Sequence, residues 1–351
     1  MTEPRVLPLI SVVTPAFNEE ALISANLATL CAHLDTLSGR YRWELIVVND
    51  GSRDRTEPLA DAFAATRENV RVVHHPVNLN LGQGIRTGFA HARGEYIVVL
   101  DMDLSYAPDH VERLVDTLEA TKADIAVASP YMPGGRCTAV PTMRLFLSKR
   151  ANRFLAFFCH HVDLHTITGM VRAYRRDFVT RLSLKSNDIE INTEIVYKAM
   201  LLRGRIVEIP AHLDWSGIVD RIASRPSSFK IAKGILTYAL SGFYFRPFVF
   251  FFLPGLLGLL LSTYLAGWLV YHIATAYAAV PAGAFIDDQL SNAIGKVFHD
   301  RPHAFFTFGI ALLTSVQFLM FGGLSFQQKR YFEDLFFVSS ERRADRFRDA
   351  D

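Results

Sequence analysis

Residues 96–103 read YIVVLDMD, an apolar run rich in β-branched residues that ends in two aspartates. Four more short runs of this kind occur before residue 130, and helical patterns fill the gaps between them. The other predicted strands are LISVVT (9–14), WELIVVN (43–49), VRVVHH (70–75) and DIAVAS (124–129). This alternation predicts an α/β domain with a mostly parallel sheet and helices on its faces.

Polar and acidic residues follow three of these strands at the point where each strand ends. The first strand runs into Asn18 and Glu19, the second into Asp50, and the fourth into Asp101 and Asp103. Because ligands bind beyond the carboxyl ends of parallel strands, these side chains are expected to share one site. Two carboxylates at positions i and i+2 after a buried strand can hold a divalent cation, and oxygen ligands suit Mg²⁺ or Mn²⁺.

A glycine-rich segment, NLNLGQGIRTG at residues 78–88, follows the third predicted strand and opens a helix. Its glycine spacing differs from the dinucleotide-binding fingerprint, and no acid ends a strand about 20 residues further on. An NAD-dependent enzyme is therefore disfavoured.

Composition excludes other classes of protein. The formal net charge of the 351 residues is only +2, which argues against a nucleic-acid partner. Three widely separated cysteines, Cys31, Cys137 and Cys159, fit a reducing compartment better than a disulfide framework.

Two C-terminal stretches, 247–286 and 302–328, contain no Asp, Glu, Lys or Arg. Each includes the roughly 20 apolar residues that cross a bilayer, so both are predicted transmembrane helices. Cations precede the first stretch and follow the second, which places both termini in the cytoplasm. The residues between the two stretches are predicted to form an exposed external connection, and self-association of the helices is possible.

Taken in order, the motifs TPAFNEE (14–20), VVNDGSRDRT (47–56), the segment 78–108, TGMVRAYRR (168–176) and EIVYKAMLLRGRIVEIP (194–210) resemble glycosyltransferase family 2. Within that family the chain is most similar to the polyprenyl-phosphate sugar synthases. The resemblance implies a GT-A-type nucleotide-sugar-binding domain followed by two transmembrane helices. It also implies an enzyme that transfers one sugar, with inversion, from a UDP- or GDP-linked donor to a polyprenyl phosphate at the inner membrane of the cell.

The domain boundaries are predicted as follows. Residues 1–226 are expected to form the glycosyltransferase domain. The mixture of lysines and apolar residues in 227–246 predicts a juxtamembrane amphipathic helix, with a linker helix packed on the soluble domain as the alternative. Residues 247–328 form the two transmembrane helices with their external connection, and 329–351 a cytoplasmic tail. The active site is then on the cytoplasmic side of a multi-pass protein, in contact with the lipid bilayer.

Site residues carry over from the family one by one. Asp101 and Asp103 are the expected ligands of Mg²⁺ or Mn²⁺, and Asp103, Arg144 and Glu194 are the expected catalytic residues. Arg144, Lys149 and Arg150 are expected to meet the acceptor phosphate. Residues expected to bind the donor are Pro15, Asn18, Glu19, Asp50, Gly82, Asp101, Arg221 and Arg225.

Several alternatives remain open at this stage. Glu194 either approaches the sugar or pairs with Lys198 one helical turn away. Asn49 stands where the family usually has another acid, which keeps open a catalytically inactive membrane scaffold of the same fold. Transfer to another lipid acceptor, such as a lipid hydroxyl, is a third possibility, and it requires a base, with Asp188, Glu190 or Asp214 as candidates.

Overall fold

The computed structural model describes residues 7–158, 164–217, 247–279 and 286–348. Two compact units divide the chain, and each is described by itself. The first comprises residues 1–245 together with 335–351, and the second comprises residues 246–334. The predicted juxtamembrane helix at 227–246, with Arg221 and Arg225 before it, lies outside the described residues.

A seven-stranded sheet forms the centre of the first unit, in the order β3-β2-β1-β4-β7-β5-β8. Every strand in it is parallel to its neighbours except β7, which runs antiparallel between β4 and β5. A separate two-stranded sheet pairs β6 with β9. The strands are β1 (Leu9–Ala16), β2 (Arg42–Asn49), β3 (Val70–His74), β4 (Tyr96–Val99), β5 (Ile125–Ser129), β6 (Arg136–Thr138), β7 (Arg172–Arg175), β8 (Ile206–Pro210) and β9 (His212–Asp214).

Helices cover both faces of the large sheet. They are α1 (Ile23–Thr36), α2 (Thr56–Ala64), α3 (Leu81–His91), α4 (His110–Thr121), α5 (Thr142–Phe158), α6 (Arg176–Val179) and α7 (Ile191–Leu201). Val12 faces one core, packed with residues of α1 and α4, whereas Val13 faces a second core with residues of α3 and α7. The central strands are apolar on both faces for this reason, as is typical of parallel sheets.

The sequence predictions for the first unit hold for the five strands before residue 130 and for the strand in GRIVEIP. Two features differ from the prediction. The short strand β7 was not predicted, because four residues that include two arginines give no periodic apolar signal. The small β6-β9 sheet was not predicted either, since three-residue strands are stabilised by pairing between distant segments.

Two helices match the predicted spans, and both lie in the second unit except for the end of the later helix, which belongs to the first unit from residue 335 onward. Helix α8 (Pro247–Ala279) and helix α10 (Pro302–Arg348) are both long and apolar enough to cross a membrane, α10 over Pro302–Ser340. Helix α10 continues well into the region predicted as a tail at 329–351. The predicted external connection also contains a helix, α9 (Ile286–Asp300), whose Ala293 and Val297 are buried. Most of the other described residues of α9 are exposed, in agreement with the predicted exposed connection.

Candidate active site

Three neighbouring strands bring the predicted acidic residues to one edge of the sheet. β1 pairs in parallel with both β2 and β4, so Ala16, Asn49 and Val99 mark the same end of the sheet. Leu100 extends this register, because its amide donates to the carbonyl of Val13 over 3.0 Å. Parallel strands are about 4.8 Å apart, which places Asp50 and Asp101 roughly 10 Å from each other along this edge.

Asp101, Asp103 and Glu19 form an acidic group at the ends of β4 and β1. Burial, together with the negative charges of Asp103 and Glu19, raises the pKa of Asp101 to about 8. Asp103 is oriented by the amide of Ser105, which donates to Asp103 Oδ1 over 2.9 Å. Carboxylate oxygens grouped in this way form a donor set that fits a hard divalent cation.

The loops after β1 and β2 are joined by hydrogen bonds. The amide of Asn18 donates to Ser52 Oγ over 3.0 Å, and the amide of Arg53 donates back to Asn18 Oδ1 over 2.9 Å. The amide of Glu19 donates to Thr56 Oγ1 over 2.7 Å. Asn18 has a left-handed backbone, with φ of 55°, which asparagine tolerates better than most residues. Asn18 therefore joins the two loops, and its place beside the donor stays a prediction.

Asp50 lies at the end of β2 with its side chain almost fully buried. Its Oδ1 accepts from the Leu79 amide over 2.9 Å and lies 2.7 Å from Nδ1 of His75. The other ring nitrogen of His75, Nε2, lies 2.9 Å from Thr87 Oγ1. His75 was not predicted to be a site residue; its position at the end of a predicted strand was the available signal.

Asn49, which replaces the usual family acid, is fully buried and belongs to a hydrogen-bond network. Its Nδ2 donates to Glu57 and to Nδ1 of His74, and its Oδ1 accepts from the Ser52 amide. Nε2 of His74 lies 3.0 Å from Asp61. Asn49 therefore stabilises the turn that carries Asp50, and its amide supplies a donor that an acid lacks.

Gly82, predicted to contact the donor, is packed against another loop. A Cβ at this position would lie 2.6 Å from the carbonyl oxygen of Ser186 and 2.7 Å from that of Asp188. Pro15, also predicted to border the donor, lies in β1 opposite Val48 and beside Gly84. Close packing alone accounts for glycine at position 82, and its contact with a donor stays a prediction.

The carboxylate of Glu194 is hydrogen-bonded within the protein, and the predicted ion pair with Lys198 is confirmed. Glu194 Oε1 accepts from Lys198 Nζ over 2.5 Å and from the Lys185 amide over 2.9 Å, while Oε2 accepts from the Ser186 amide over 2.8 Å. Burial opposes the charge of Glu194, but the hydrogen bonds from Lys198 and Ser186 outweigh it and lower the pKa. A carboxylate used in this way is poorly suited to act on a sugar, so the geometry disfavours its catalytic assignment.

Replacing Glu194 by alanine is expected to lower the free energy of unfolding by about 3 kcal/mol. Lys198, only 7% exposed, would lose its carboxylate, and two amides would lose their acceptor. Because the pKa is lowered in the fold, this contribution is complete above the ordinary value of 4.5 and disappears as the pH falls through the lowered value. Urea denaturation of both proteins at several pH values measures it.

Glu190→Ala is the matched control for this prediction. Glu190 lies at the start of the same helix, and its side chain has no hydrogen bond to any described residue. Its loss is expected to cost less than about 1 kcal/mol. Equal destabilisation by the two substitutions would contradict the role assigned to Glu194.

The three predicted acceptor-binding cations lie on α5. The Arg144 guanidinium lies over the Trp215 ring, with 4.3 Å between Cζ and the ring centroid. Lys149 lies over the ring of Tyr131 at 6.0 Å, and Arg150 over that of Phe146 at 5.0 Å. All three cations are exposed, and stacking on an aromatic ring favours one orientation of a guanidinium.

Comparisons with known proteins identify the family. The model of Glycosyl transferase family 2 matches residues 11–182, from β1 to the short 3-10 helix that follows α6. A polyprenol monophosphomannose synthase from Mycolicibacterium smegmatis is 34% identical over 209 residues, which are 57% of this chain and 75% of the relative. The chain belongs to glycosyltransferase family 2. Its α/β architecture is the one that the resemblance implied.

Other family 2 relatives agree with this assignment. A dolichyl-phosphate beta-glucosyltransferase, ALG5A, from Trichomonas vaginalis is 33% identical over 239 residues, covering 66% of this chain and 73% of the relative. The chain spans 55% of the Pyrococcus furiosus dolichol-phosphate mannosyltransferase and 33% of the Haloferax volcanii glycosyltransferase AglD.

A solved structure supports the fold of this family 2 member. The mannosyl-3-phosphoglycerate synthase of Rubrobacter xylanophilus superposes with a TM-score of 0.50 at 13% identity, over 67% of this chain and 72% of that chain. At this identity the likeness concerns the fold alone.

Proposed function

We propose that this enzyme transfers one sugar from a nucleotide-sugar to a polyprenyl phosphate, with inversion at the anomeric carbon and release of a nucleoside diphosphate. The observation that carries the proposal is the acidic group of Asp101, Asp103 and Glu19 at the carboxyl edge of the sheet. Carboxylate oxygens are suitable ligands for the divalent cation that accompanies a diphosphate. The names of the mycobacterial and Trichomonas relatives, a polyprenol monophosphomannose synthase and a dolichyl-phosphate glucosyltransferase, support the lipid acceptor.

Asp101 and Asp103 are the residues that would hold Mg²⁺ or Mn²⁺. The raised pKa of Asp101 supports this assignment, since it reflects a carboxylate that is buried and lies near the negative charges of Asp103 and Glu19. When bound, such a cation neutralises charge that develops on the departing diphosphate. Asp50 would bind the nucleobase roughly 10 Å away along the same edge.

The proposed reaction has little need for a general base. A phosphate monoester carries its negative charge near neutral pH, so its oxygen attacks the anomeric carbon without first losing a proton to the enzyme. This agrees with the finding that Glu194 is committed to Lys198 and to the main chain. The residues of the site would therefore act mainly by positioning the donor and the acceptor.

Arg144 is the residue that we assign to the acceptor phosphate, with Lys149 and Arg150 beside it. A guanidinium donates two parallel hydrogen bonds to phosphate oxygens, and the stack on Trp215 presets its plane. The two candidate membrane spans would keep the enzyme at the surface where an isoprenoid phosphate presents its headgroup. We place the active site and both termini in the cytoplasm, because the cations that flank the two spans favour that orientation.

Arg144→Ala is expected to lower kcat/KM for the polyprenyl phosphate about 10- to 100-fold, because a charge-assisted hydrogen bond contributes about 1.5–3 kcal/mol. Initial rates measured at increasing lipid concentrations test this. Arg153→Ala, which removes the same charge from an exposed position on the same helix, serves as the control. If both variants lose activity equally, general surface charge and not a specific phosphate contact is responsible.

A direct assay tests the proposed reaction. Purified full-length protein is incubated in liposomes with Mg²⁺ or Mn²⁺ and a radiolabelled nucleotide-sugar, with and without undecaprenyl phosphate, and extracted into organic solvent. We expect label in the organic phase only when the lipid phosphate is present. Label that enters a different lipid would indicate another acceptor, and the absence of both transfer and donor hydrolysis would favour an inactive scaffold.

A further inference from the structure

One oxygen of the Asp50 carboxylate has hydrogen-bond partners in the protein, and the other is able to accept a hydrogen bond from a ligand. Oδ1 has two partners, the Leu79 amide at 2.9 Å and Nδ1 of His75 at 2.7 Å. Two donors fill the two lone-pair positions of a carboxylate oxygen. Oδ2 has no hydrogen-bond partner among the residues that the structure describes. Asp50 thus presents a single accepting oxygen to a ligand.

His75 is fixed at both of its ring nitrogens. Because an ionised carboxylate only accepts hydrogen bonds, the short contact to Asp50 assigns a proton to Nδ1. Nε2 then accepts from the Thr87 hydroxyl over 2.9 Å, and Gln83 Nε2 donates to the same hydroxyl over 3.3 Å. This chain of donors holds the imidazole, and through it the carboxylate, in one orientation.

The main chain around Asp50 is fixed as well. The Asp50 amide donates to the Ala16 carbonyl, and the His75 amide donates to the Asn49 carbonyl, each over 2.9 Å. Gly51 follows with a φ of 63° and lies directly against Val77 and Asn78. The carboxylate cannot rotate to present both oxygens without breaking the contacts with Leu79 and His75.

We propose that the donor carries uracil, and that His75 is the positioning residue that sets this preference. The inference rests on the proposed use of a nucleotide-sugar, with Asp50 as the contact to the base. Uracil offers one ring N–H between two carbonyl groups, which matches one accepting oxygen. Guanine offers an N–H and an adjacent amino group, which together require both oxygens of a carboxylate. Because Oδ1 already accepts hydrogen bonds from the protein, one of the two N–H groups of a bound guanine would lack a good acceptor. A missing hydrogen bond of this kind discriminates strongly between ligands.

The experiment measures binding of UDP and GDP to the full-length protein in detergent by calorimetry with Mn²⁺. The two ligands share the ribose and the diphosphate, so the ratio of their dissociation constants isolates the base. We expect UDP to bind at least tenfold more tightly than GDP. In His75→Leu, Oδ1 loses its side-chain partner, and the ratio is expected to fall below threefold.

Two further variants distinguish positioning from general damage to the fold. His75→Asn keeps a donor near the position of Nδ1 and is expected to retain the preference for UDP. His74→Asn changes the adjacent histidine, which contacts Asn49 and Asp61 instead of Asp50, and should leave the ratio unchanged. If His75→Leu does not fold, Thr87→Val provides the second test. It removes the hydroxyl that contacts Nε2 of His75, so the ratio of the GDP and UDP dissociation constants is also expected to decrease.

The outcomes separate this inference from the proposed reaction. Tighter binding of GDP than UDP by the unaltered protein, or an undiminished ratio in His75→Leu and Thr87→Val, overturns the inference. Transfer of a sugar to the lipid from a GDP-linked donor alone would support the reaction and refute uracil selection. A preference for UDP that depends on His75, without any transfer to lipid, would support the inference and refute the reaction.

Discussion

Asp103→Ala is expected to lower kcat about a thousandfold, the largest effect on activity of any substitution considered. Asp103 lies in the acidic group after β4, with Oδ1 set by the Ser105 amide. Its removal would eliminate one of the two proposed cation ligands, and with it the charge compensation that the departing diphosphate requires. Turnover is measured at saturating donor and lipid acceptor, and Mn²⁺ binding is measured separately by calorimetry.

Asp116→Ala is the control for this substitution. Asp116 is an acid of the same domain that pairs with Arg40 and Tyr41 on the surface. Its replacement is expected to leave both turnover and Mn²⁺ binding nearly unchanged. If Asp103→Ala retains near-normal turnover with Mn²⁺ present, the assignment of Asp103 as a metal ligand is wrong.

Gly51→Ala is expected to destabilise the protein by about 2–5 kcal/mol. The φ of 63° disfavours any residue with a Cβ, and a Cβ here would lie 2.5 Å from the nitrogen of Asn78 and 2.7 Å from Cα of Val77. The cost combines backbone strain of about 1–2 kcal/mol with overpacking against main chain of about 1–3 kcal/mol. Thermal unfolding followed by tryptophan fluorescence measures the loss, and UDP binding should weaken as well because Asp50 is the preceding residue.

Gly39→Ala tests whether the effect is specific to position 51. A Cβ at Gly39 would meet no atom within 4 Å, so this variant is expected to be as stable as the unaltered protein. A similar loss of stability in both variants would mean that glycine matters for reasons other than the close approach at residues 77–78.

Much of the scaffold was predictable from local pattern. At their centres, the strands β1, β2, β4 and β5 are apolar on both faces, and this pattern can be recognised without knowledge of the neighbouring strands. The edge strand β3, which contains Arg71 and His74, is only partly buried and follows the pattern less closely. The acids after β1, β2 and β4 were predicted to meet because the carboxyl ends of parallel strands share one edge. The two apolar C-terminal stretches were equally clear, since each is long enough and apolar enough to form a helix that could cross a bilayer.

The details of the site depended on contacts between distant segments. Gly82 packs against residues 186–188, about a hundred positions away in the sequence, and no local sequence pattern predicts this contact. His75 gains its role from Asp50 and Thr87, which belong to two other elements. Glu194 shows the same limit, because its spacing from Lys198 predicted the ion pair, but only the fold shows that two amides of the preceding loop complete its coordination.

The position of β7 in the sheet has a consequence for the order in which a ribosome-bound chain can fold. β1 to β4 are complete once residue 99 has been made, but β4 lacks its neighbour until residues 172–175 emerge, and β5 and β8 join the sheet only through β7. A nascent chain shorter than this therefore exposes unpaired strand edges, which favour association with other chains. We therefore expect association between nascent chains to be strongest while residues 100–175 are being added.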